Sequence, residues 1–74
     1  RSNENDKAKA ASNIALAYEM LDNMEKAHKW AEESNKLFIE STSPNSLEIR
    51  RSLLYKNEIE RRLDLNNKLD MQNK

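Results

Sequence analysis

Apolar and small residues recur at helical spacing through three stretches of the chain, separated by short polar breaks. From Ala8 they fall at Ala11, Ile14, Ala17 with Tyr18, and Leu21, a stripe spaced for one face of a helix. Polar residues before it, up to Asn5 and Asp6, read as a loose start with a helix cap. Asp22-Asn23 ends this stripe. Both residue types tolerate the left-handed conformation, and Asn23 can cap the next helix. A second stripe runs through Met24, Ala27, Trp30 with Ala31, Ser34, and Leu37 with Phe38. So short a connection makes the first two helices antiparallel neighbours, with Ala15 and Ala27 as the small residues where they cross.

Glu40-Ser41-Thr42-Ser43 is a polar break. Ser43-Pro44 then predicts a helix start, a capping hydroxyl followed by Pro at the first helical position, with Asn45 and Glu48 as an alternative capping box. The third helix is expected over residues 44–70, before a polar tail at Met71 to Lys74. Ile49, Leu53, Ile59 and Leu63 share one side of it, and Leu47, Leu54, Leu65 and Leu69 the other. A helix apolar on two sides is sandwiched or lacks a partner. The expectation is one all-α domain over residues 1–74: an antiparallel helix hairpin followed by a longer third helix.

Composition narrows the field. The chain has 74 residues, 36% hydrophobic and 35% charged, so one thin core is all it can bury. Gly is absent and Pro occurs once, which disfavours a sheet built on tight turns. With no Cys and one His, neither disulfides nor a metal can staple so small a domain. Thirteen acids balance thirteen bases, which argues against the one-sided basic footprint of a nucleic-acid binder such as a helix-turn-helix. No apolar run approaches the roughly 20 residues of a membrane helix, so no membrane insertion is expected in this segment. No cofactor is implied.

Ala11-x2-Ile14-Ala15-x2-Tyr18 followed by Ala27-x3-Ala31 resembles a tetratricopeptide repeat, whose pattern is W-x2-L-G-x2-Y…A-x3-F…P. Ile14 stands for the Leu, Ala15 for the Gly and Tyr18 for the Tyr. Ala11 replaces the Trp, Ala31 the second aromatic and Asp22 the turn Gly, and Pro44 arrives late. The resemblance covers residues 8–41 and implies a fragment of an α–α superhelix. In it Ile14, Ala15, Tyr18, Leu21, Ala27, Trp30 and Ala31 pack the hairpin, and Lys9, Ser12, Asn13, Leu16 and Glu19 face a partner-binding groove. It also implies that the chain, which begins at Arg1, is a piece of a longer array, since about three repeats are needed for a continuous core.

The candidate chemistry is sparse. His28 lacks converging ligands and reads as structural or solvent-facing. Glu32-Glu33 and Glu58/Glu60/Asp64 read as solvated faces, and the doublets Arg50-Arg51 and Arg61-Arg62 as surface or inter-helix contacts. No Gly-rich phosphate loop and no serine triad can be assembled. The function expected is therefore a non-catalytic protein–protein interaction or scaffolding module that binds a protein or peptide. Homodimerisation through the third helix is the alternative.

Overall fold

The computed structural model describes residues 2–72. It is all-α: α1 (Ser2–Met20), α2 (Met24–Ser41) and α3 (Leu47–Gln72). α1 and α3 both pack on α2. The molecule measures 48 × 22 × 13 Å, a slab with little interior. Its surface of 5648 Å² is roughly a fifth more than the about 4,700 Å² of a compact monomer of 8.7 kDa.

The α1–α2 turn uses its residues twice. Asp22 adopts φ 61, in the left-handed region. The Asn23 N–H donates to the Tyr18 carbonyl at 2.8 Å and the Asp22 N–H to the Glu19 carbonyl at 3.0 Å. These two bonds make a Schellman cap, which satisfies carbonyls that the helix end would leave free. Asn23 then caps α2, its side chain accepting the Lys26 N–H at 3.3 Å.

Two helix starts differ from expectation. α1 begins at Ser2, so Asn5 and Asp6 lie inside the helix and do not cap it. Glu4 in its first turn complements the positive end of the helix dipole. α3 begins at Leu47, not Pro44. Pro44 and Asn45 sit in a turn closed by the Ser46 N–H on the Ser43 carbonyl at 3.0 Å, where Pro's fixed φ suits the second turn position. Ser46 is the cap, its hydroxyl accepting the Ile49 N–H at 3.3 Å. Of the expected polar tail, Met71 and Gln72 continue α3, and Asn73 and Lys74 lie outside the described residues.

The core is alanine. Ala8, Ala11 and Ala15 on α1 and Ala27 and Ala31 on α2 are all buried. Ser34 Oγ, also buried, donates to the Ala8 carbonyl at 2.9 Å. In an antiparallel register fixed by that bond, Ala11 lies opposite Ala31 and Ala15 opposite Ala27. Residues this small let helix axes approach to about 8 Å.

The larger residues expected to fill this crossing do not all do so. Ile14 is 37% exposed and Leu21 75% exposed, whereas Tyr18 and Trp30 are half-buried. At about 100° per residue, the line through Ala8, Ala11 and Ala15 leaves Ile14 and Leu21 about a third of a turn away from α2. On α3 only Ile59 of the expected apolar side is fully buried. Leu53 is exposed, as are Leu47, Leu54, Leu65 and Leu69.

Candidate functional site

α1 and α3 run parallel on the same side of α2 and leave a groove of about 370 Å³ between them. Its α1 wall is Lys9, Ser12 and Asn13, and its α3 wall is Glu48, Arg51, Ser52 and Tyr55. Phe38 of α2 lies beneath. Phe38 reaches the groove because helical spacing continues the line of Ala27, Ala31 and Ser34 to it, and it is only 7% exposed. The floor is therefore apolar and the walls are polar.

A buried network fixes the α3 wall. Asn35 Nδ2 donates to Ser52 Oγ at 2.9 Å, and Ser52 Oγ donates to its own helix at the Ile49 carbonyl, 3.0 Å away. Each bond is worth about 1 kcal/mol net, but breaking one strands a buried polar group at about 1–3 kcal/mol. The network thus sets which face of α3 meets α2. On the outer side of this interface, His28 Nε2 meets the Glu60 carboxylate at 2.9 Å. The His28 hydrogen bond, with a lesser contribution from Lys56, holds the Glu60 carboxyl below its ordinary value.

One end of the groove is tied across. Glu19 accepts the Tyr55 hydroxyl at 2.8 Å and also receives the Arg62 guanidinium. Burial first, then the bond to Glu19, pushes the Tyr55 phenol well above its ordinary range, so it stays a donor. Arg62 also lies 3.6 Å from Glu58, which in turn pairs with Arg61 at 3.0 Å. Glu19 of α1 is thereby bonded to two residues of α3, Tyr55 and Arg62, which lie about two helical turns apart.

Of the five residues expected to face a partner, Lys9, Ser12 and Asn13 line the groove. Leu16 is half-exposed on the same helix outside the lining, and Glu19 belongs to the tie. Sequence reasoning missed Phe38, Glu48, Arg51, Ser52 and Tyr55 as groove residues. A signal for part of the α3 wall was present: Ser52-x2-Tyr55 restates the small residue and Tyr of Ala15-x2-Tyr18. Arg51 and Arg62, read as members of basic doublets and as i, i+3 and i, i+4 partners of Glu48 and Glu58, have distinct places in the groove wall and the tie.

A larger hollow of about 600 Å³ lies on the opposite side, between α2 and Lys56 of α3. Its lysines, Lys29, Lys36 and Lys56, are matched by Glu32, Glu33 and Glu40, and it has no aromatic floor. Among the described residues, no three His, Asp or Glu side chains gather closely enough to hold a metal ion. No described helix is long and apolar enough to cross a membrane.

The chain belongs to the family described as a domain of unknown function, DUF6340, whose model matches residues 1–61. The match takes in the hairpin and α3 as far as Arg61, and so every residue of the groove. No curated protein and no solved structure matches the chain.

Proposed function

We propose that this member of the DUF6340 family is a non-catalytic protein-interaction module of tetratricopeptide type, whose α1–α3 groove takes up a partner peptide. The observation that carries the reading is the groove itself: two parallel helices, polar walls and the Phe38 floor, with the walls held apart by the Glu19–Tyr55–Arg62 tie. A surface of this kind binds by covering apolar groups while polar residues set register. The small-residue crossing of α1 and α2 and the return of its spacing at Ser52 and Tyr55 support the kinship with tetratricopeptide repeats. On that reading α3 is the first helix of a second unit.

A photo-crosslinking residue at Asn13, in the groove, compared with one at Glu33, on the far side, tests the proposal in cells that make the protein. A discrete cross-linked protein from Asn13 and none from Glu33 is expected. Equal yields from both positions, or none from Asn13, would overturn it.

A second reading rests on α3. Leu47, Leu54, Leu65 and Leu69 are all about half exposed or more and share one side of the helix. Such a stripe suits self-association through α3. Light scattering over a hundredfold concentration range decides it: a mass that stays at one chain throughout excludes the homodimer.

A further inference from the structure

We propose that α3 pairs with α3 of a second copy of this chain in antiparallel orientation, about a two-fold axis between Ile59 and Glu60. The proposal rests on the self-association reading above and adds the orientation and register of the pair. At about 100° per residue, Leu47, Leu54, Glu58, Arg61, Leu65 and Leu69 fall within an arc of about 80°. That arc is turned about 130° away from Ser52 and Ile59, which are buried where α3 sits on α2. All four of its leucines are exposed. The order along the arc is self-complementary: Leu54 stands four residues before Glu58, and Leu65 four residues after Arg61. Turned end for end, the arc lays Leu54 on Leu65 and Glu58 on Arg61 of the second copy, and each pair occurs twice. Leu69 then comes within one turn of Leu47. An interface between identical faces requires such self-matching.

The charges decide between orientations. In a parallel pair in register, Glu58 would face Glu58 and Arg61 would face Arg61, and like charges across an interface repel. In the antiparallel pair each Glu58 meets an Arg61 of the other copy while keeping the Arg61 of its own helix at 3.0 Å. Lys68, brought near Arg50 of the second copy, is paired with its own Asp64 at 3.4 Å. Support along α3 points the same way. Residues 50–55 are backed by α2 through the Asn35–Ser52 bond, whereas Asp64 to Leu69 are exposed throughout. Helices in proteins draw most of their stability from the packing of one face. The antiparallel pair lays residues 64–69 of each copy on residues 50–55 of the other, so each unbacked end rests on a backed one. A parallel pair would lay two unbacked ends on each other.

Disulfide trapping tests this, and the chain has no Cys of its own to interfere. Leu54→Cys and Leu65→Cys are made as separate single variants of the whole chain, and each is oxidised alone and in an equal mixture with the other. Both leucines are exposed, and an unchanged circular dichroism spectrum shows that the fold persists. In the antiparallel pair, position 54 of one copy lies against position 65 of the other and about 16 Å from position 54, too far for a disulfide. The mixture should therefore give at least about tenfold more disulfide-linked dimer than either variant alone. A mixture no better than the single variants overturns the proposal. If light scattering of the parent then still shows a dimer, the self-association reading stands; a mass of one chain throughout removes that reading too. Arg61→Glu, which sets acid against acid across the pair, should raise the dissociation constant of the dimer about tenfold. An unchanged constant also overturns the proposal, because the register rests on that charge matching.

Discussion

The two interfaces that α2 makes are built on different principles. Toward α1 it presents Ala27, Ala31 and Ser34 to a line of alanines, with one buried hydrogen bond from Ser34 to the Ala8 carbonyl. Toward α3 it presents Asn35 and His28 to Ser52 and Glu60, with Ile59 as the one large, fully buried apolar side chain among the described residues of α3. Alanine against alanine buries little area per residue but leaves no room for error, because any larger side chain collides with the facing backbone. The polar interface tolerates looser packing but fails when one partner is left unpaired. The hairpin is thus specified by shape, and the seat of α3 by hydrogen bonding around one apolar anchor. The last ten or so residues of α3 run past the hairpin, and those described there are exposed apart from half-buried Leu63.

The largest expected effect falls on the α3 anchor. Ile59→Ala should cost about 2–5 kcal/mol, the range for removing a buried Ile side chain. Native-state amide exchange should show protection lost along α3 while the centres of α1 and α2 keep theirs. Equal loss in all three helices would mean that the two interfaces do not differ in kind. Ala15→Leu attacks the other interface by overpacking, at about 1–3 kcal/mol. Here protection should fall in α1 and α2 first, and a urea midpoint unchanged from the parent would contradict the close crossing.

Asn35→Ala is the next test, at about 1–2 kcal/mol, since it deprives the buried Ser52 hydroxyl of a partner. Adding Ser52→Ala should recover part of the loss, which a double-mutant cycle from urea melts would measure. Asp22→Gly should do the reverse and raise stability by about 0.5 kcal/mol, because Gly adopts φ 61 without the steric cost that Asp bears. In a domain of this size that is a rise of about 2–4 °C in Tm.

The smallest effect is one of pH. Glu60 sits below its ordinary value of 4.5 in the folded chain, chiefly through His28. A carboxyl so lowered adds stability above its unfolded value and loses that contribution as pH falls through the folded one. Stability followed below about pH 5 should therefore fall more steeply in the parent than in His28→Ala. Identical slopes would show that the outer His28–Glu60 contact does not help to seat α3.

Legibility followed distance along the chain. The turn at Asp22-Asn23 was readable because a left-handed residue and an N-cap use groups within five residues of one another. Pro44 misleads for a local reason too: Ser43, Asn45 and Ser46 all offer capping oxygens, and only the closing Ser46–Ser43 bond selects among them. The resemblance to a tetratricopeptide repeat implied that Lys9, Ser12 and Asn13 share the groove side of α1. Nothing within α1 says that Arg51 and Tyr55 stand across from them, nor that Glu19 accepts from a Tyr 36 positions later.

The sequence by itself determined three helices and an antiparallel hairpin with alanines at its crossing. These follow from periodicity and from residue size, which act over one or two turns. Tertiary structure alone decided which apolar residues would be covered. Ile14 and Leu21 satisfy the helical pattern as well as Ala11 and Ala15 do, but the crossing admits only side chains small enough for two backbones to meet. It also decided that α3 turns Ser52 toward α2, and Glu48, Arg51 and Tyr55 toward the groove. Rotation of a helix about its own axis is invisible to its own hydrogen bonds and is fixed by its neighbour.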